Sequence, residues 1–204
     1  MKIVLRATFV LGLGLFQTIV AYGQVPKAEI FGGYSYFSAD TGDSGFGRVS
    51  LHGWGGSVTG NINSAFGITG QITGNYGTPS ISTFAPVNGI LVPVKGSADV
   101  SVYTVMVGPE LSYRMEKAKF FIHPLVGIMH EKASNARGTA LGVTVTLSDF
   151  GDSATNFAWD LGGGFDISLN SRMALRLFQV DYVGEKSTPV GTHFRAGAGV
   201  VFKF

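Results

Sequence analysis

The sequence contains no cysteine. That excludes disulfides, thiol nucleophiles and a lipid-modified cysteine anchor. It is also poor in charge. Lys, Arg, Asp and Glu make up 14% of its 204 residues, against about 25% in an ordinary soluble domain. The apolar fraction is nevertheless ordinary at 45%. A chain with so few charges and a normal apolar content points to an outer surface that does not face water. Net charge is only +2 and there is no long basic run, so nucleic acid is excluded as a partner class. Beyond the first two dozen residues no apolar run approaches the ~18 residues of a membrane-spanning helix.

What the chain does have is glycine, 30 residues in all, about twice the usual share. It also has a basic, then apolar, beginning, "MKIVLRATFVLGLGLFQTIVAYGQ". Lys2 and Arg6 precede the apolar run Ala7 to Phe16, and Ala21 and Gly23 supply small residues for cleavage. This pattern predicts a secretory signal over 1–23, with a mature domain over 24–204. The alternative is a retained helical anchor, for which the run is short.

Beyond that segment the period is two. In "FGITGQITGNYG", Phe66, Ile68, Ile72 and Tyr76 share one face, while Thr69, Gln71, Thr73 and Asn75 share the other. The same alternation recurs in "AEIFGGYSYF", "LHGWGGSVTGNI", "SVYTVMVGPELSYR", "KFFIHPLVGIMHE", "NFAWDLGGGFDISL", "MALRLFQVDYVG" and "RAGAGVVFKF". That makes eight strands. Short turns at "NINSA", "MEKAK" and "LNSR" alternate with long connections at about 38–49, 77–99, 132–155 and 183–191. The expectation is an all-β fold: a closed, eight-stranded, antiparallel up-and-down transmembrane barrel with its short turns on the periplasmic side.

Energetics then assign the faces. A Lys or Arg on the lipid face at mid-bilayer costs about 2–4 kcal/mol. The polar set must therefore point inward: Glu29, Glu110, Arg114, His123, Asp160, Asp166, Gln179, Asp181 and Arg195, with Lys203. Isolated charges in so narrow an interior are costly, so they should pair. An interior just wide enough for its own side chains favours a polar plug over a gated pore. Arg176 is out of step, falling on the lipid face in this register. Either it snorkels to the head groups or a bulge shifts the strand.

Chemistry-bearing sets are sparse. Gly162–Gly164 sits inside an alternating strand, without the following helix that a phosphate loop requires. His123 and His130 point to opposite faces of one strand, and His123 and Glu131 are about 27 Å apart along it. A metal site or catalytic set built on that strand alone is disfavoured, and no cofactor is expected. The second long connection, "TPSISTFAPVNGILVPVKGSAD", centres on Asn88-Gly89, a strong hairpin signal. Together with the β-prone stretch Thr139 to Leu147, it predicts strands that extend past the membrane. The plainer reading is ordinary ordered loops. Such an extension would form a sheet with an open edge able to take up another chain by strand addition, with Pro86 and Pro93 blunting it against aggregation.

With these residues in view, the chain resembles the small eight-stranded outer-membrane barrels of the OmpA-barrel and OmpX type. The resemblance covers essentially all of 25–204. It rests on the strand count, on "RAGAGVVFKF" and on "FAWDLGGGFDISLNSRMALRLFQVDY". It implies a Gram-negative outer membrane, contact with outer-membrane lipid and lipopolysaccharide, and a C-terminal strand read by the barrel-assembly machinery through Phe194, Val200, Phe202 and Phe204. One departure is that the chain stops at the barrel, so wall anchoring is not carried over. The functional expectation is a non-enzymatic structural or surface-interaction protein, in adhesion or defence, acting through connections 77–99 and 132–155. The alternatives are a narrow passive channel and, less favoured, a lipid-modifying enzyme.

Overall fold

The computed structural model describes residues 25–40, 48–87, 90–140, 143–186 and 192–204. The predicted signal segment and the turn residues Asn88 and Gly89 lie outside these. The described residues form nine strands: β1 (Ala28–Asp40), β2 (Arg48–Asn61), β3 (Phe66–Gly77), β4 (Ser80–Val87), β5 (Ile90–Arg114), β6 (Ala118–Ala140), β7 (Val143–Ser168), β8 (Met173–Glu185) and β9 (Thr192–Lys203).

Eight of them close into a ring. Every neighbouring pair is antiparallel, in the order β3-β2-β1-β9-β8-β7-β6-β5, and β3 pairs with β5 to complete the circuit. β9 runs along β1 from Glu29↔Lys203 to Ser38↔Phe194. Closure pairs the backbone groups that hydrocarbon would otherwise leave unsatisfied. The wall curves tightly, and Gly33 and Gly199 show why. A Cβ on Gly33 would lie 2.2 Å from the Ala198 carbonyl oxygen, and one on Gly199 would lie 2.3 Å from that of Gly32.

Among the described residues β4 stands outside the ring and pairs only with β5, from Ser80↔Ser97 to Val87↔Ile90. β5 and β6 stay paired as far as Val94↔Ala140, and β6 and β7 as far as Ala140↔Val143. The second and third long connections are therefore mostly strand. They form a four-stranded sheet, β4-β5-β6-β7, that continues the barrel wall outward.

Alternation sorts the side chains as the lipid-face argument requires. Outward-facing apolar residues stay exposed, among them Val58, Ile122, Val126 and Leu161. Aromatics mark two levels. Tyr34, Trp54, Tyr76, Tyr103 and Trp159 ring the outer side. Tyr113, Phe120, Phe178 and Phe202 ring the side of the short turns. These are the interfacial girdles of a membrane barrel.

Arg176 corrects the simple register. It is inside the barrel, only 3% exposed. On β7 the pairing jumps from Phe165↔Phe178 to Asp166↔Arg176. On β9 it jumps from Gln179↔Gly197 to Arg176↔Gly199. Leu177 is the extra residue of a β-bulge, and Leu177 and Phe178 both face outward. The bulge, not snorkelling, resolves the charge.

Candidate functional site

The interior is filled in layers. At the periplasmic end Arg114 Nη1 donates to Glu29 Oε1 at 2.8 Å, and Arg114 Nη2 to Asn61 Oδ1 at 2.9 Å. Lys119, an inward cation that the sequence reading did not single out, contacts Glu29 and sits 2.7 Å from Glu110 Oε1. Thr69 completes the shell of Glu110 at 3.0 Å.

One layer further in, the guanidinium of Arg176 donates to both oxygens of Asp166, at 2.8 and 3.1 Å, and to Gln179 at 2.7 Å. It lies 4.4 Å from the Phe31 ring centre and 4.2 Å from that of Phe121, so its faces are covered by aromatic rings.

The middle layer centres on Arg195. Its Nε donates to Asp181 Oδ2 at 2.8 Å, and its Nη2 reaches Asp160 and, at 2.7 Å, Gln71. His123 Nε2 lies 3.0 Å from Asp181 Oδ1 and 3.7 Å from Asp160 Oδ1. Gly162 makes room for this set, because a Cβ there would fall 1.9 Å from Asp181 Oδ1.

Above that layer the filling changes character. Phe37, Leu51, Val102, Met106, Leu125, Met129, Ala158 and Val183 pack together with almost no exposure. The polar residues expected inside are therefore accompanied by an apolar cluster. Polar pairs occupy the periplasmic half and the middle, and in the outward half these apolar side chains pack beside the buried Ser35, Asn75, Glu185 and His193. The signal was in the sequence: Leu125 and Met129 share the inward face of β6 with His123.

Two triplets bring possible ligand atoms within 4.8 Å of one another: His123, Asp160 and Asp181, and Glu131, Glu185 and His193. Each draws on several strands, which spacing along β6 alone could not reveal. Neither presents an inviting metal site. In the first, Arg195 already neutralises part of the carboxylate charge. In the second, the Asp40 N–H donates to His193 Nδ1 at 3.1 Å, which leaves the neutral ring's proton on Nε2 and removes the lone pair that a metal needs.

The outer sheet is tied to the rim through Asp99. Arg137 donates to both its oxygens at 3.1 and 3.0 Å, Asn135 Nδ2 donates at 3.0 Å and Thr78 Oγ1 at 3.0 Å. The Arg137 guanidinium first, then Asn135 and Thr78, hold the carboxyl at about 2, below its ordinary 3.8. Asn135 has a φ of 52° at the β6 bulge, a conformation that Asn tolerates better than most residues.

The sequence matches the outer membrane protein beta-barrel domain model over residues 7–202. The chain belongs to that family. It is an outer-membrane β-barrel protein of a Gram-negative bacterium. Solved structures agree on the fold. The attachment invasion locus protein Ail of Yersinia pestis superposes with a TM-score of 0.53 at 18% identity, covering 88% of this chain and all of Ail. Neisserial surface protein A superposes with a TM-score of 0.59 at 12% identity, covering 89% of this chain and all of that one. Ail has also been solved in complex with the heparin analogue sucrose octasulfate. No curated protein matches the sequence. The C-terminal residues Phe194 and Phe202 face outward and Val200 is half-buried, all on β9, while Phe204 follows the strand and is exposed.

Proposed function

We propose that this barrel is a non-enzymatic surface protein that engages partners through its outer sheet while its interior stays closed to solutes. One observation carries the reading: β4, β5, β6 and β7 continue as a hydrogen-bonded sheet beyond the aromatic girdle, over an interior filled with buried side chains. Among the described residues β4 has a partner on one side only, and β7 pairs with β8 only from Ala158 inward. Among the described residues the edge of β7 beyond Phe157, whose carbonyl accepts from Lys186 N, has no neighbouring strand and could take up an incoming one. The likeness in fold to a protein named for attachment and invasion supports a surface role. Export through residues 1–23 and recognition of Phe194, Val200, Phe202 and Phe204 by the assembly machinery belong to the same proposal.

The test uses the full mature barrel, refolded in detergent and shown to shift on an unboiled gel. Planar bilayers should register no steady conductance. Cells displaying the parent should adhere to a heparin-coated surface, and cells displaying a variant with both hairpins shortened to the rim should not. Steady openings of the parent would put the channel reading first. Release of acyl chains from lipid would put the enzyme reading first.

A further inference from the structure

The rim at the short-turn end carries four cations, of which Lys27, Lys117 and Arg172 take no part in the interior ion pairs among the described residues. It surrounds a vestibule of about 1320 Å³ whose lining includes Lys27, Lys117, Arg172 and Lys203. Backbone bonds set these residues side by side. Lys27 N donates to Phe204 O at 2.6 Å, Lys203 N to Arg172 O at 2.8 Å, and Ser168 N to Lys117 O at 2.8 Å. They therefore form one arc over the neighbouring ends of β1, β9, β8, β7 and β6.

Charge along this arc is unbalanced. Of the vestibule's carboxylates, Glu29 is committed to Arg114 and Lys119, and Asp166 to Arg176. That leaves Glu116 as the one further acidic side chain in the lining, beside the main-chain carboxylate of Phe204, the last residue of the sequence, against four cations. Among the described residues the Lys and Arg ion pairs do not include Lys27, Lys117 or Arg172, and all three side chains are exposed. Lys203 Nζ donates to Ser168 Oγ at 2.6 Å, which places an amine and a hydroxyl together at the mouth.

Depth selects the ligand. Adjoining the arc, Leu169, Phe202 and Phe204 are 60%, 46% and 68% exposed, on the side that meets acyl chains. A molecule lying along them would carry a phosphate at the level of the cations. We propose that the arc Lys27–Lys203–Arg172–Lys117 binds the phosphodiester head group of an anionic phospholipid in the periplasmic leaflet. Each cation near a lipid surface is worth about fivefold in affinity, so four cations on one rim select anionic over zwitterionic head groups.

The experiment titrates fluorescent phosphatidylglycerol into the full mature barrel refolded in phosphatidylcholine nanodiscs. Binding should saturate in the parent and weaken about 25-fold in Lys117→Gln/Arg172→Gln. Both positions lie in exposed turns, and the heat-shift gel verifies folding. Lys95→Gln, in the outer sheet, should bind as the parent does. Equal affinity for labelled phosphatidylcholine would overturn the proposal, as would parent-like binding by the double variant. Competition by millimolar inorganic phosphate that matches competition by unlabelled phosphatidylglycerol would assign the arc to the free anion and overturn the lipid assignment.

Discussion

Asp181 and Arg195 face each other across the β8–β9 pair, and Arg195 Nε donates to Asp181 Oδ2 at 2.8 Å. Only 2% of Arg195 is exposed, and it is the one Arg or Lys paired with either Asp160 or Asp181 among the described residues. Replacing it by Ala leaves two buried carboxylates without that partner. The expected cost is about 3–5 kcal/mol, read as a lower urea midpoint for loss of the heat-shifted form. Conductance should stay silent, because the apolar layer above is untouched.

In the proposed reading that layer is the seal. Leu125→Ala and Met129→Ala should each cost about 2–5 kcal/mol. Combined with Met106→Ala they remove three of the side chains that close the outward half. The triple variant should show ion leak in planar bilayers where Arg195→Ala shows none. The opposite ranking would place the barrier in the charged layers.

The bulge at Leu177 makes a labelling prediction. In single-cysteine variants, Leu177→Cys and Phe178→Cys should both be quenched by lipid-borne probes, since both positions face outward. Arg176→Cys should not be. Strict alternation through 176–178 would give the reverse for 176 and 177.

Asp99 sets the acid limit of the outer sheet. Its carboxyl is held at about 2, below an ordinary 3.8. A depressed carboxyl contributes anchoring fully above about 3.8 and loses it as pH falls through about 2. Amide exchange in Ser97–Ser101 and Ala133–Arg137 should be flat, after correction for intrinsic rates, from pH 7 to about 4.5, then rise towards pH 2. Asp99→Asn should show the faster exchange already at pH 7.

Period-two alternation, low charge and the turn signals determined the eight-stranded ring and which face meets lipid, because a charge on the lipid face is expensive through the middle of the bilayer. They also placed Glu29, Glu110, Asp160, Asp166, Asp181, Arg114 and Arg195 inside, since inward direction follows from parity alone. Which of these charges pair was decided only by the tertiary structure. Arg195 is 35 residues from Asp160, and Arg114 is 85 from Glu29. Those distances close only when the shear of the ring sets one strand's height against the next. The bulge that turns Arg176 inward is likewise invisible to parity, because it breaks parity. It forms where turning a guanidinium towards Asp166 outweighs one irregular ladder step. The apolar seal lies at the same boundary. Its residues were legible one by one as inward-facing, but only closure of the wall brings Phe37, Leu51, Met106 and Leu125, from four strands, into one layer.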